Sequence, residues 1–157
     1  MSQDSITLKA RIEQEMKAAL LGGNRFRGEV LRNLKAAILN EEVATGTREQ
    51  GLADVEVEKV IAREVKKRNE SAALYEQNMR QDSADEERRE AEVLQEFLPE
   101  QLSEAELKTI VDAKVAELDA KGDPKKMGVV IGAVKADAGN AADGAMVARL
   151  VKDAINL

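Results

Sequence analysis

Two glycines and two lysines in one predicted helix form the surface best suited to binding. The apolar residues of segment 127–134 recur every three or four positions, which predicts a buried helical stripe. At about 100° per residue, a second set lies on a side centred about 130° away. Its members, here called the glycine strip, are Lys125, Gly128, Gly132 and Lys135.

The glycines of this strip need an explanation, because each disfavours a helix interior by about 1 kcal/mol relative to Ala. Gly128 and Gly132 permit another backbone to approach closely. One interpretation is that a neighbouring helix of the same tail packs there. The other is that a phosphodiester backbone lies along the strip, with Lys125, Lys126 and Lys135 contacting phosphates. The sequence leaves both interpretations open.

A second basic group lies in the predicted second helix. Residues 24–40 contain four basic residues and one acid, which gives a net charge of +3. Arg25, Arg32 and Lys35 fall within one broad face, where they could contact phosphates. Pairing with acids on the same helix and ordinary solvation explain these residues as well. Both explanations stay open.

The composition excludes many catalytic and metal-binding classes. The chain has no His and no Cys, so it holds no Ser-His-Asp triad, no imidazole base and no zinc site of the common types. It also lacks the two glycine-rich loops that commonly bind nucleotide phosphates. Adjacent acids such as Glu41 and Glu42 fit a solvated helix face. We therefore assign no catalytic residue, no metal ligand and no cofactor.

The overall composition predicts helices around an aliphatic core. Hydrophobic residues make up 43% of the 157 residues, charged residues 34% and aromatic residues 2%, a mixture typical of amphipathic helices. No apolar run approaches the roughly 20 residues that span a bilayer. We therefore expect a soluble, cytoplasmic protein with no membrane partner. The net charge of -6 and a pI near 4.9 oppose indiscriminate binding of nucleic acid.

Helical periodicity and end signals predict seven helices. Asp54 is expected to cap the third helix, and Ser83 with Glu86 to form the capping box of the fourth. The apolar stripe of the third helix is expected to extend to Tyr75 and Met79. The predicted helices are 7–21, from 24 to about 45, 55–81, from 83 to 98, 104–121, 124–137 and from 144 to the end.

The region around Pro99 is the expected domain boundary. Residues 1–98 would form an amino-terminal helical domain with one long helix, and residues 99–157 a compact three-helix tail domain. The predicted fold class is therefore all-α. The N-caps expected for the three tail helices are Ser103, Asp123 and Asp143.

Several segments, in order along nearly the whole chain, resemble the GatB/YqeY family. Those of the amino-terminal half are 30–32, 34–38, 64–68 and 70–71. Those of the carboxyl-terminal half are 98–104, 127–130, Gly139, 142–144, Val147 and 150–152.

This resemblance implies a stand-alone YqeY-like protein of two helical domains. Its carboxyl-terminal part is similar to the tail of the B subunit of the Asp/Glu-tRNA amidotransferase, which is understood to engage tRNA. The resemblance associates the chain with carbon-nitrogen ligase activity using glutamine as amido-N-donor. Because the amidase and the ATP-dependent catalytic domain of that enzyme would not fit in this chain, the association would be by homology or assistance.

Three functions are compatible with the sequence. A tRNA-binding accessory module is favoured by the family resemblance and by the glycine strip. A protein-binding adaptor would use the long third helix or the amino-terminal helices. The net negative charge of the chain is more compatible with a protein partner than with tRNA. An enzyme acting alone is the least favoured, since no nucleophile or base stands in a credible arrangement.

Overall fold

The chain folds as helices throughout the part that the structure describes. A computed structural model describes residues 6–156, and within them it contains seven α-helices, two short 3₁₀-helices and no strand. The predicted all-α class is confirmed. The α-helices are α1 (Leu8–Leu21), α2 (Arg25–Thr45), α3 (Asp54–Gln77), α4 (Gln81–Gln95), α5 (Glu104–Glu117), α6 (Met127–Ala138) and α7 (Gly144–Asn156). The 3₁₀-helices are Pro124–Lys126 and Gly139–Ala141.

Contacts between helices divide the chain into two compact units, Met1–Leu98 and Pro99–Leu157, here called the first unit and the second unit. In the first unit α1 packs along α2, α3 packs along α4, and α2 contacts both α3 and α4. In the second unit α5, α6 and α7 all contact one another. None of the described helices combines the length and the apolar character needed to cross a membrane. Independent folding of each unit stays a prediction.

Each unit has its own core, and both cores are mainly aliphatic. In the first unit Phe97 is also buried, and the guanidinium groups of Arg11 and Arg27 lie 4.7 and 5.8 Å from the centre of its ring. The apolar side chains of the first unit that are almost completely inaccessible include Ile12, Leu31, Leu34, Ile38, Ile61 and Leu94. The core of the second unit includes the six valines Val111, Val115, Val130, Val134, Val147 and Val151.

Helix ends in α1 and α2 follow the sequence signals. The side chains of Thr7 and Asn24 each accept a hydrogen bond of 3.1 Å from a backbone N–H in the first turn of the helix that follows. Gly22 stands at the end of α1, and Gly46, with a left-handed φ of 68°, ends α2. These boundaries confirm the predicted first and second helices.

Both caps predicted for α3 and α4 are wrong. Asp54 is the first residue of α3, and its carboxylate accepts a 3.0 Å hydrogen bond from the backbone N–H of Leu8 at the start of α1. Ser83 lies inside α4, which begins at Gln81. In both places a neighbouring helix or turn, rather than the local sequence, determines the helix start.

The apolar stripe of α3 also ends earlier than predicted. The helix ends at Gln77 rather than at Gln81. Met79 lies in the turn that follows, with a left-handed φ of 60°, and its side chain is 94% exposed. The prediction that Met79 is buried is wrong, because hydrogen bonds such as Arg80 N–H to Tyr75 O, 2.8 Å, direct the chain back into α4.

In the second unit the N-caps predicted for α5 and α7 are confirmed, whereas Asp123 caps the 3₁₀-helix Pro124–Lys126 and α6 itself begins at Met127, later than predicted. The side chains of Ser103, Asp123 and Asp143 accept hydrogen bonds of 3.1 Å from the backbone N–H groups of Glu106, Lys125 and Met146. Helix α5 ends at Glu117, earlier than predicted, and Asp119 beyond it adopts a positive φ of 50°.

Glu42 is buried, although its sequence context predicts a solvated face. Its side chain is 1% exposed. Lys9 Nζ donates to both carboxylate oxygens at 2.9 and 2.8 Å, and the Leu52 backbone N–H donates at 2.9 Å. The hydrogen bond from Lys9 lowers the pKa of Glu42, while burial acts in the opposite direction. This ion pair joins α1 to α2 and to the loop that precedes α3.

Candidate nucleic-acid interface

The packing of α6 determines which of its sides faces solvent. Val130 and Val134 are fully buried in the core of the second unit. Gly139, with a φ of 57°, ends the helix. Gly128 and Gly132 lie on exposed parts of the surface, as their separation from the buried stripe predicts.

Nothing in the described part of the chain covers the two glycines. A Cβ atom built on either Gly128 or Gly132 would meet no atom within 4 Å beyond the adjacent backbone of its own helix. The interpretation that a neighbouring tail helix packs against them is therefore wrong. Internal packing does not explain why α6 carries two residues that each disfavour it by about 1 kcal/mol.

The two lysines of the glycine strip are exposed and available for binding. Neither Lys125 nor Lys135 forms an ion pair with any residue from 6 to 156. Lys135 Nζ lies 3.8 Å from the position that a Cβ atom on Gly144 would take, at the start of α7. Two lysines without an ion pair therefore flank the glycines along the chain, Lys125 in the 3₁₀-helix before α6 and Lys135 in the last turn of α6.

Lys126 has a structural role instead. Its ammonium group donates hydrogen bonds of 3.0 Å to the backbone oxygens of Leu118 and Asp119. These oxygens lie at the end of α5, where helix carbonyls lack partners within the helix. Of the three lysines predicted to contact phosphates, Lys126 is thus the one occupied by the fold.

The basic residues of α2 lie in the first unit and are mostly paired with acids. Lys35 Nζ lies 2.9 Å from Glu13 on α1, and this hydrogen bond lowers the pKa of Glu13. Arg32 lies 3.3 Å from Glu29 on its own helix. Arg25 is exposed and forms no ion pair with the described residues. These pairs reduce the positive field that the sequence indicates.

Sequence reasoning missed an apolar extension of the strip. Val129 is 62% exposed, and Ala136 is exposed as well. At about 100° per residue both lie on the side of Gly132. The signal was present, since Val129 stands outside the repeat that defines the buried stripe. The exposed face of α6 is therefore smooth and uncharged between its lysines.

A comparison with known families now adds to this geometry. A family model described as "Yqey-like protein" matches residues 9–155. The chain belongs to the YqeY-like protein family. This YqeY-like chain is also 26% identical over 91 residues to "Altered inheritance of mitochondria protein 41, mitochondrial" from Clavispora lusitaniae (strain ATCC 42720). That similarity covers 58% of this chain and 51% of the relative, so the chain spans about half the length of the relative.

The chemistry of the YqeY-like chain at this strip is that of binding. Backbone, small side chains and two ammonium groups can hold an anionic polymer. Among residues 6–156 no group of three or more acidic side chains is placed to hold a metal ion. The strip is thus a candidate surface for phosphate groups.

Proposed function

We propose that this chain is an accessory module that binds tRNA through the glycine strip of α6 and has no catalytic site of its own. The open space over Gly128 and Gly132 carries this proposal. A phosphodiester backbone can approach bare helix backbone more closely than it can approach any larger side chain. The resemblance to the tRNA-engaging tail of the amidotransferase B subunit adds independent support.

The geometry suits contacts with the backbone of a folded RNA. Lys125 lies in the 3₁₀-helix before α6 and Lys135 in the last turn of α6, so they would contact different phosphates. All three aromatic residues, Phe26, Tyr75 and Phe97, lie in the first unit. Because the second unit offers no ring for base stacking, recognition would depend on shape and charge. In this proposal the chain assists the enzymes that perform glutamine-dependent carbon-nitrogen ligation, and it does not perform that reaction itself.

Substitution of the glycines tests this proposal. We expect Gly128→Leu and Gly132→Leu each to weaken tRNA binding at least tenfold, because a large side chain would hold the phosphodiester backbone away. The melting temperature should stay the same or rise, since Leu is the better helix former and the site is open. Binding is measured by the fluorescence anisotropy of labelled tRNA at low salt, and stability by circular dichroism.

Ala113→Leu is the matched control. Ala113 is an exposed residue of α5, so the change adds the same side chain to the second unit outside the strip. It should leave tRNA binding unaltered. Normal tRNA affinity in both glycine variants would refute the proposed site.

A protein-binding adaptor is the second candidate function. The exposed apolar side chains of Leu74 and Met79, 59% and 94% accessible, favour it, as does the net charge of -6. The partner would belong to the translation or aminoacylation machinery. This candidate becomes the better one if the glycine variants bind tRNA normally.

We place this function in the cytoplasm, where tRNA is charged and used. The word "mitochondrial" in the relative's name describes that protein. A fluorescent fusion expressed in the native host should fill the cytoplasm, and accumulation in an organelle would contradict this placement.

A further inference from the structure

The end of the α3–α4 hairpin holds an open groove that lies apart from the glycine strip in sequence and belongs to the first unit. Its volume is about 410 Å³. Leu74 at its edge is 59% exposed, and Met79 in the adjoining turn is 94% exposed. The groove is lined by Ser71, Leu74, Tyr75, Asn78 and Arg80.

Arg80 places an unpaired positive charge in this groove. Its guanidinium carbon lies 4.9 Å from the centre of the Tyr75 ring. Its backbone N–H donates to Tyr75 O at 2.8 Å, which fixes the start of the side chain. Arg80 has no acidic partner anywhere in the described region. A stacked guanidinium of this kind can bind a carboxylate through two parallel N–H groups.

Met79 has an unfavourable backbone conformation for its residue type. Its φ of 60° is left-handed, a region in which Gly or Asn is at ease and a long side chain is disfavoured. This left-handed residue belongs to the turn that ends α3, where the Arg80 N–H donates to Tyr75 O at 2.8 Å. Met79 is almost fully exposed, and a flexible thioether side chain adapts well to the surface of a partner.

The local charge argues against RNA as the occupant. From Glu70 to Arg89 the sequence contains six acidic residues and three basic ones, Arg80, Arg88 and Arg89, and Arg88 pairs with Glu76. A chain of phosphates would be repelled by this excess of acids. One carboxylate placed against Arg80 would contact the guanidinium directly, and basic residues beside it would complement the net negative charge of this stretch of the sequence.

We propose that this groove binds a protein segment that presents one carboxylate beside an apolar side chain, with basic residues flanking them. The carboxylate pairs with Arg80, and the apolar side chain packs on Leu74 and Met79. This docking surface is independent of the RNA-binding proposal, because all its residues belong to the first unit.

The protein provides its own reporter for a test. Tyr75 is the single tyrosine of the chain, and there is no tryptophan, so tyrosine fluorescence reports on this groove alone. The probe is a short, capped peptide of Ala and Lys with a central Leu–Glu pair, titrated into the full-length protein. We expect saturable binding that weakens about tenfold when Gln replaces the Glu of the peptide, which corresponds to the loss of a charge-assisted hydrogen bond.

Variants of the groove should reproduce this loss. Arg80→Gln is expected to weaken binding of the Glu peptide about tenfold and to abolish the preference over the Gln peptide. Met79→Gly should weaken binding several-fold while the melting temperature is kept or raised, because Gly accepts the left-handed conformation. Leu21→Ala, which truncates another exposed apolar side chain of the first unit, is the control and should bind normally.

Three outcomes would overturn the proposal. They are equal affinity for the Glu and Gln peptides, unchanged affinity in Met79→Gly, and binding of labelled tRNA that Arg80→Gln removes. The last outcome would assign the groove to nucleic acid. The affinity of the glycine variants for tRNA is measured separately, so failure of the groove proposal is distinguishable from failure of the proposal that the glycine strip binds tRNA.

Discussion

At the scale of single residues, the pair formed by Lys9 and Glu42 is the sharpest test of stability. Lys9→Met keeps much of the aliphatic stem but leaves a buried carboxylate with one backbone donor, Leu52. We expect the free energy of unfolding to fall by about 2 kcal/mol. This loss is smaller than the loss expected for a fully buried ion pair, because the Lys9 side chain is 36% exposed. Urea denaturation measures the change.

Lys17→Met is the matched control for this variant. Lys17 pairs with Glu13 at 3.7 Å, and both side chains are exposed. An exposed pair contributes about 0.5 kcal/mol or less, so this variant should unfold nearly as the wild type does. Equal losses in the two variants would show that the burial of Glu42 has no energetic effect.

The lowered pKa of Glu42 sets the direction of the associated pH dependence. A carboxyl group whose pKa is lower in the native state stabilises the fold fully above its unfolded pKa, about 4.3. That contribution is lost as the pH falls through the native value. Lys9→Met removes the principal cause of the shift, so the variant should lose less additional stability than the wild type on acidification below pH about 4.3.

At the scale of helices, α6 and the 3₁₀-helix before it should bind RNA through the exposed Lys125 and Lys135 without depending on these side chains for folding. Replacing Lys125 and Lys135 by Ala removes two phosphate contacts, so the slope of log K against log salt should become shallower by about 1.5. The melting temperature should be unaltered, because neither side chain has an ionic partner among residues 6–156. Titrations of labelled tRNA at several salt concentrations measure the slope.

Lys108→Ala is the control for this change of charge. Lys108 lies on α5 and pairs with Asp112 at 2.7 Å, so the variant removes a positive charge of the same unit outside the strip. The salt dependence should stay as in the wild type. An equal change in slope for both variants would mean that net charge, and not the strip, governs binding.

Helix positions were predictable where the determining contacts are local, and unpredictable where they are distant. Ser103, Asp123 and Asp143 each cap a helix that begins at the next residue, by accepting a hydrogen bond from a backbone N–H two or three residues along the chain, so the sequence contains the whole signal. Asp54 instead contacts Leu8, 46 residues away. Likewise, the burial of Glu42 depends on partners in α1 and in the following loop.

The candidate site could likewise be predicted from the sequence only where local patterns determine it. Helical periodicity separated Gly128 and Gly132 from the buried stripe, and the structure places both on the exposed side. Periodicity could not say whether another helix lies over them, since that depends on where α5 and α7 pack. The role of Lys126 was hidden for the same reason, because its acceptors belong to the end of α5.

At the scale of the whole molecule, the division near Pro99 predicts two units that fold semi-independently. Limited proteolysis should cut first in the segment between α4 and α5 and leave a fragment that begins near Glu100. Mass spectrometry of the early products identifies the site. First cleavage inside α3 would show that the division of the chain is incorrect.

The valine-rich core of the second unit has a consequence for its folding entropy. This unit is roughly 60 residues long, a size at which buried area alone leaves a fold marginal. Valine in a helix occupies mainly one rotamer, so its burial removes little side-chain freedom compared with a long, flexible residue. With six of its ten buried core residues being valine, the second unit loses little rotamer entropy when it folds. A small core of stiff side chains can thereby hold the three helices of this unit in fixed positions at a low entropic cost.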